Sequence, residues 1–253
     1  MRHLLALLAA LAVAPAAVAE LPVAKVQVVH IYPHDRHAYT EGLFYRDGFL
    51  YESTGKEGQS TIRKVRIEDG VVLQSRVEMP YLFGEGIVDW GDQIISLTWR
   101  DGVGFRWNIA DLSEVREFHY EGEGWALTRN ADSLIMSDGT PVLKFLDPVS
   151  LEETRRITVT AEGEPVANLN ELEWVKGEIL ANIWLTNRIA RIDPDTGAVK
   201  GWIDVGNLPE AMHKVVMDDI PNGIAYDADH DRLFLTGKDW PHLYEVRVVP
   251  PSP

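Results

Sequence analysis

Short apolar runs alternate with polar turns along nearly the whole chain, and this pattern predicts β-strands joined in pairs. Five segments share one order: an acidic or amide residue, usually beside a glycine, then an apolar strand, a turn and a second strand. They begin at Thr40-Glu41-Gly42, Gly84-Glu85-Gly86, Gly122-Glu123-Gly124, Leu169-Asn170-Glu171 and Pro221-Asn222-Gly223. Turn sequences such as Asp47-Gly48 join the two strands of a pair, as expected for β-hairpins.

Two further strands follow each pair, for example residues 61–67 with 71–77. Four strands per unit, with a period of about 45 residues, predict an all-β, five-bladed β-propeller. The final unit runs out of chain after its third strand, residues 242–248, so the alternating segment 25–31 is predicted to close the last blade. No helical periodicity separates the strands, which argues against a parallel α/β fold. A β-sandwich stays open, but it does not predict five matching units.

The start of the chain has the pattern of a secretory signal peptide. Arg2 precedes an apolar run over residues 4–14, and an A-x-A pattern ends at Ala19. The run is shorter than the roughly 20 residues that span a bilayer. We therefore expect residues 1–19 to be a signal peptide and residues 20–253 to be a single propeller domain, exported to the periplasm or secreted.

Composition narrows the classes of partner. Acidic residues outnumber basic ones by 39 to 24, and the formal net charge is −15. Such a surface argues against nucleic acid and anionic membranes, because both are held by Lys and Arg. The chain has no cysteine, which excludes disulfides and thiol chemistry. The charge identifies no substrate, and we expect the protein to be a monomer.

The propeller topology predicts where the candidate chemistry gathers. The first strand of each blade lines the central channel, and the antiparallel second strand ends beside the start of the first. This places Trp99 beside Glu85, Asp138 beside Trp125, and Trp184 beside Asn170. It also places Lys238 and Trp240 near Asn222, at a further corner of the same mouth. The expected result is a cup walled by indoles, with a few convergent polar groups. Such a pocket is the default hypothesis for a binding site.

Other chemistries find little support. The chain lacks the G-x-S-x-G, H-E-x-x-H, Walker and dinucleotide motifs. His30, His34 and His37 have a spacing that could suit a metal, but a surface loop is the better interpretation of this Pro- and Asp-containing segment. A structural Ca²⁺ in the channel is left open, although its candidate ligands have no ordered spacing. Those ligands are Asp138, Glu171, Asp218 and Asp219.

The corners of the repeat resemble the plant- and bacterial-type glutaminyl-peptide cyclotransferases over nearly the whole chain after the signal segment. No single motif is specific, but their order, spacing and number together are. The motifs are Tyr39-Thr40-Glu41-Gly42-Leu43, Phe83-Gly84-Glu85-Gly86, Leu97-Thr98-Trp99, Gly124-Trp125-Ala126-Leu127-Thr128, Asn170-Glu171-Leu172-Glu173-Trp174, Ala181-Asn182-Ile183-Trp184 and Leu235-Thr236-Gly237-Lys238-Asp239-Trp240-Pro241. That family is a five-bladed propeller, in agreement with the repeat count.

The resemblance implies an acyltransferase that converts the N-terminal glutamine of a peptide or protein to pyroglutamate and releases ammonia. The substrate's own α-amine attacks its γ-carboxamide, so the reaction needs no protein nucleophile, no cofactor and no catalytic metal. The enzyme's task is to orient the chain, move a proton and stabilise an oxyanion.

The resemblance also implies roles for individual residues. By position, Glu85 matches the acid/base carboxylate, and Lys238 matches a rim lysine that would partner Glu85 or the oxyanion. The substrate-binding matches are Tyr39, Glu41, Phe83, Trp99, Trp125, Asn170 and Trp184. Glu41 departs from the family, which usually has Gln there. Because Glu41 and Glu85 would then place two carboxylates at the same mouth, we expect the pKa of one of them to be raised.

Two other functions remain open from the sequence. A gluconolactonase-type propeller would bind Ca²⁺ through Glu41, Asn170 and Asn222, although such folds usually have six blades. A non-catalytic periplasmic propeller would use the same cup to bind a peptide without turnover. Release of ammonia from a peptide with N-terminal glutamine separates the expected activity from both.

Overall fold

The computed structural model describes residues 20–212 and 219–250, and this part of the chain is all-β, with 22 strands and no helix. After β1 (Val23–Pro33), three four-stranded sheets follow one another along the chain. They are β2 (Thr40–Arg46), β3 (Phe49–Thr54), β4 (Thr61–Arg66) and β5 (Val72–Val77); β6 (Gly84–Trp90), β7 (Gln93–Thr98), β8 (Val103–Asn108) and β9 (Glu114–His119); and β10 (Ala126–Arg129), β11 (Leu134–Ser137), β12 (Val142–Leu146) and β13 (Glu153–Thr158).

A short hairpin that the sequence did not predict precedes the remaining strands. It consists of β14 (Thr160–Ala161) and β15 (Glu164–Pro165). The strands that follow are β16 (Leu169–Val175), β17 (Glu178–Ile183), β18 (Arg188–Ile192), β19 (Val199–Asp204), β20 (Pro221–Asp227), β21 (Arg232–Gly237) and β22 (His242–Val249). They form one eight-stranded sheet together with β1, in the order β16-β17-β18-β19-β1-β22-β21-β20.

Strand β1 joins the two ends of the chain. It pairs antiparallel with β22, from Lys25 opposite Val249 to Pro33 opposite His242. Its first three residues also pair in parallel with β19. The parallel contact was not anticipated, and it is the reason why two groups of four strands count as a single sheet.

Strands β2, β6, β10, β16 and β20 each form an antiparallel hairpin with the strand that follows, and these five first strands lie in the middle of the molecule. Strand β2 contacts β6 and β20, β10 contacts β6 and β16, and β16 contacts β20. The contacts among these five strands therefore close into a ring. They are mostly buried along their length, whereas the outermost strands β5 and β9 are mostly exposed. The apolar core lies between neighbouring sheets, where Phe44 and Ile62 of one pack with Ile87 and Phe105 of the next.

Glycine allows the first strands to come this close. A Cβ atom built on Gly86 would lie 2.3 Å from the Cα of Ala126, and one built on Gly42 would lie 2.6 Å from the backbone nitrogen of Ile87. Neither distance is tolerated by any larger residue. The glycine beside each glutamate therefore lets the neighbouring strands pack, and it holds Glu41 and Glu85 at the centre.

His34 is buried, which corrects the expectation of a surface loop at this position. Its side chain is only 4% exposed. One ring nitrogen lies 2.9 Å from Glu52 Oε1 and the other lies 2.7 Å from the Trp240 carbonyl oxygen. Arg63 donates to the other oxygen of Glu52 at 2.8 Å. The loop thus folds back onto charged partners that are distant in sequence, while His30 and His37 are exposed.

The predicted signal peptide, residues 1–19, lies outside the described residues. Within residues 20–212 and 219–250, no helix is long and apolar enough to cross a membrane.

The buried charge cluster leads to a prediction about stability. Replacing Glu52 by Gln removes the carboxylate that the Arg63 guanidinium and the His34 ring share, and leaves Arg63 with Asp35 alone at 2.8 Å. We expect the free energy of unfolding to fall by about 3 kcal/mol, near the lower end of the range for a broken buried pair. Denaturant unfolding at neutral pH measures this. The control is Asp69→Asn, which breaks an exposed pair with Arg66 and should change little. Equal effects of the two substitutions would contradict the account.

Candidate active site

Ten residues line a cavity of about 280 Å³ at one end of the central strands. They are Tyr39, Glu41, Lys56, Phe83, Glu85, Trp99, Trp125, Asn170, Trp184 and Lys238. The structure thus brings together all nine residues that the sequence singled out. It adds Lys56, which sequence reasoning missed although the preceding Ser53-Thr54-Gly55 marks the same corner of the first unit.

The strand ends explain why these residues meet. Glu85 lies near the start of β6, and Trp99 directly follows the antiparallel partner β7. Asn170 near the start of β16 and Trp184 after β17 repeat this arrangement in another sheet. Lys238 follows β21. In all five hairpins the first strand begins opposite the end of its partner, as Gly84 does opposite Thr98 and Leu169 does opposite Ile183, so positions far apart in sequence meet at one end of these strands.

Aromatic rings form the walls of the cavity. Tyr39 meets Phe83 edge-on with ring centroids 6.2 Å apart, and Phe83 lies 5.5 Å from Trp99. On the other side Trp125 and Trp184 meet edge-on at 5.6 Å. Such contacts are favourable beyond the burial of area alone, and they hold the rings in fixed orientations. The walls therefore form an apolar slot around the polar groups.

Lys238 forms an ion pair with Glu41. Its Nζ lies 2.6 Å from Glu41 Oε1 and 4.4 Å above the ring of Tyr39. The other oxygen of Glu41 accepts a bond of 3.3 Å from the Asn222 amide. The sequence placed Lys238 opposite Glu85 or an oxyanion, whereas the carboxylate that it binds among the described residues is Glu41. The Lys238 ammonium is thus paired with the Glu41 carboxylate.

Glu85 is the carboxyl group that the site perturbs most. It is only 6% exposed. Burial raises its pKa well above the usual value, and the carboxylates of Glu41, Glu123 and Glu78 raise it further, while the ammonium of Lys238 acts in the opposite direction. A carboxyl group held in this way keeps its proton at a pH where an ordinary glutamate has lost it, and it can pass that proton to a bound ligand.

Asn170 contributes an amide to the wall. Its side chain is buried, and its Oδ1 accepts no hydrogen bond from the described residues. A buried acceptor without a partner is costly, so this oxygen is ready to receive a donor from a bound ligand.

Two residues expected near the cup lie elsewhere. Asp138 forms an ion pair of 2.9 Å with Lys144 and does not line the cavity. Trp240 is fully buried in the apolar core, where its ring meets that of Tyr244 edge-on at 6.2 Å. In both cases a partner close in sequence draws the side chain away from the mouth.

Glu123 is a residue that sequence reasoning passed over as a site member. It accepts hydrogen bonds from the indole nitrogens of Trp99 and Trp125. The signal that could have found it is its place in Gly122-Glu123-Gly124, the same repeat position that Glu85 holds in its own unit.

The structure offers limited support for a bound metal. Among residues 20–212 and 219–250, no three His, Asp or Glu side chains converge as metal ligands. Glu171 instead accepts the backbone N–H groups of Leu43 at 3.2 Å and Ile224 at 2.9 Å, and so links three of the first strands. Asp218 lies outside the described residues. The structural Ca²⁺ stays a prediction.

Comparisons with known proteins agree with one another. The family model described as glutamine cyclotransferase matches residues 3–248. The glutaminyl-peptide cyclotransferase of Arabidopsis thaliana is 38% identical over 231 residues, which cover 88% of this chain and 71% of that protein.

Solved structures give the same result. The crystal structure of the glutaminyl cyclase of Myxococcus xanthus superposes with a TM-score of 0.86 at 34% identity, and the match covers 92% of this chain and all of that one. The WD40 β-propeller domain of Doa1 matches with a TM-score of 0.50 at 10% identity over 81% of this chain and 62% of that one, a likeness of fold alone.

Glu78, close to the cavity, leads to a prediction about pH. It is buried, neither carboxylate oxygen accepts a hydrogen bond from the described residues, and burial raises its pKa to about 8 from 4.5. The folded chain thus keeps a proton that the unfolded chain loses. The free energy of unfolding should therefore fall as the pH rises from about 4.5 to about 8.

Glu78→Gln isolates this contribution, since the amide does not titrate. We expect the variant to gain stability relative to the wild type across that range, as measured by urea unfolding at several pH values. Parallel pH profiles for the two proteins would contradict the assignment.

Proposed function

The chain belongs to the glutamine cyclotransferase family, and on that premise we propose that it converts the N-terminal glutamine of peptides or proteins to pyroglutamate with release of ammonia. The observation that carries the proposal is the buried carboxyl group of Glu85 in an aromatic-walled cavity. At about 280 Å³ the cavity is near the lower end of ligand pockets, which suits one terminal residue rather than an extended segment.

In the proposed reaction every bond and proton is accounted for by the substrate and the Glu85 side chain. The α-amine nitrogen attacks the γ-carboxamide carbon, a C–N bond forms, and the carbonyl oxygen becomes an oxyanion. The Glu85 carboxylate takes a proton from the attacking nitrogen. When the intermediate collapses, the bond to the amide nitrogen breaks and Glu85 gives that nitrogen the proton, so ammonia leaves. Glu85 ends in the state in which it began.

The other lining residues supply orientation and charge. The aromatic walls hold the substrate side chain curled, so that amine and carbonyl carbon lie within reach of each other. Asn170 offers its unpartnered oxygen to an N–H of the substrate. Lys238, held by Glu41, places a positive charge beside the reaction centre, where it favours the developing oxyanion.

The architecture and location of the enzyme belong to the same proposal. We propose five blades, with β1 as the outer strand of the last one, supported by the strand order and by the closed sequence of contacts among the first strands. Residues 1–19 would direct export to the periplasm or out of the cell. The protein would act as a monomeric acyltransferase without a catalytic metal.

The proposal predicts that the wild-type protein releases ammonia from a peptide with N-terminal glutamine and that Glu85→Gln loses a factor of about 10²–10⁴ in kcat. The matched control is Glu173→Gln, which removes another carboxyl group with a raised pKa that neither lines the cavity nor is among the neighbours that shift the pKa of Glu85, and this variant should keep activity within a few-fold. Peptide binding without ammonia, or lactone hydrolysis abolished by a chelator, would replace the proposal by one of its rivals. Full activity of Glu85→Gln would remove the acid/base role.

A second prediction concerns Glu41. The Glu41 carboxylate raises the pKa of Glu85, and it also binds the lysine that acts in the opposite direction. Glu41→Gln removes the carboxylate and frees the Lys238 ammonium, so the pKa of Glu85 should fall. We expect the acid limb of the pH profile of kcat to move to lower pH. An unchanged limb, or a shift to higher pH, would contradict the coupling.

A further inference from the structure

We propose that Glu123 is a positioning residue that holds two walls of the cavity, Trp99 and Trp125, with a single carboxylate oxygen. The inference deepens the proposed function, on which it rests for the meaning of the cavity. It identifies a residue that does not line the cavity but fixes the shape of those that do.

The geometry is that of a shared acceptor. Glu123 Oε2 lies 2.9 Å from the indole Nε1 of Trp99 and 2.8 Å from that of Trp125. A carboxylate oxygen can accept two such bonds. Trp99 follows β7 and Trp125 precedes β10, so the oxygen joins the corners of two neighbouring sheets. A backbone bond of 3.0 Å from the Gly124 nitrogen to the Trp99 carbonyl oxygen supports the same corner.

Arg100 completes the arrangement from the outside. Its guanidinium carbon lies 3.5 Å from the centre of the Trp99 ring, and its Nε lies 3.3 Å from the second oxygen of Glu123. Burial alone would raise the pKa of Glu123, but the hydrogen bonds from Trp125, Trp99 and Arg100 lower it below its usual value. The group is therefore ionised at neutral pH and acts only as an acceptor.

The two hydrogen bonds from Trp99 and Trp125 to Glu123, which we call the clamp, also limit the contacts that these indoles can make with a ligand. Tryptophan has one hydrogen-bond donor, the indole N–H, and Glu123 engages it in both residues. Trp99 and Trp125 thus bring ring surface but no free donor to the cavity. Polar recognition of the substrate's carboxamide falls to the other lining residues, among them Asn170 and Lys238.

Loss of the clamp should loosen both walls together. Without Glu123, two indole N–H groups need new partners, and the rings must turn or admit water to find them. Because a misplacement of about 1 Å can cost roughly 10²-fold in rate, we expect Glu123→Ala to lower kcat/KM by about 10–100-fold. KM should rise with it, since the walls hold the substrate in its ground state as well.

Two conservative variants separate geometry from charge. Glu123→Gln removes the charge but keeps an oxygen at the same reach, which can accept both N–H groups. Glu123→Asp keeps the charge but shortens the side chain by one methylene, so the carboxylate lies farther from the two indole N–H groups. The clamp predicts that the Gln variant retains more kcat/KM than the Asp and Ala variants do. An Asp variant more active than the Gln variant would overturn the proposal.

A mutant cycle tests whether Glu123 acts through the indoles. In the double variant Trp99→Phe/Trp125→Phe no indole N–H remains for Glu123 to hold. Adding Glu123→Ala should therefore change kcat/KM by less than about twofold when each variant is measured at its own pH optimum, where the effect of the Glu123 charge on the pKa of Glu85 does not enter. The same loss in both backgrounds would show that Glu123 acts in another way and would overturn the clamp.

Near-UV circular dichroism tests the clamp without a substrate, because it reports on the environment of the indole rings in the folded protein. Glu123→Ala should alter the indole bands of the folded protein, while Glu123→Gln should preserve them. A wild-type protein that releases no ammonia would defeat the proposed function and leave this readout intact. Unchanged bands in the Ala variant would overturn the clamp even if the wild type is an active cyclotransferase.

Discussion

The close approach of the first strands brings buried carboxyl groups into one apolar space, and the rest of the site follows from how each of them is accommodated. Glycines such as Gly42 and Gly86 permit the approach. Glu171 is held by backbone N–H groups from two other strands, and Glu41 is held by the ammonium of Lys238. Glu85 is buried beside neighbours of like charge, and its pKa rises first because of the burial and further because of those neighbours. The packing that completes the fold thus also creates the reactive group.

This arrangement suits a reaction that needs a proton moved rather than a bond made to the protein. The aromatic rings lower the local polarity, which strengthens every charge interaction inside the cavity. Glu41 has two effects there, since it fixes the lysine and raises the proton affinity of Glu85. Glu41 is therefore tied directly to the proposed catalytic group. Glu123 exerts a similar influence from outside the wall, through the indoles that it holds.

Much of this site could be predicted from the sequence because a repeat converts spacing along the chain into position in space. Once the corners of the hairpins were aligned, Glu85, Trp99 and Asn170 had to share one mouth. The choice of partner was not predictable in the same way. His34 pairs with Glu52 across the fold, and Lys238 pairs with Glu41 rather than Glu85. Such pairings depend on side-chain direction and on contacts between distant segments, and a strand pattern contains neither.

The central claim is that the crowded channel keeps Glu85 protonated well above the usual range of a glutamate, so that it can serve as a proton shuttle. Infrared difference spectra of the wild type against Glu85→Gln, recorded over a pH titration, measure this directly through the carboxylic acid C=O band. The account predicts a carboxylic acid band that is present in the wild type at pH values where an ordinary glutamate is ionised and that is missing from the variant. A Glu85 whose band titrates with a pKa close to the model value of 4.5 would contradict it.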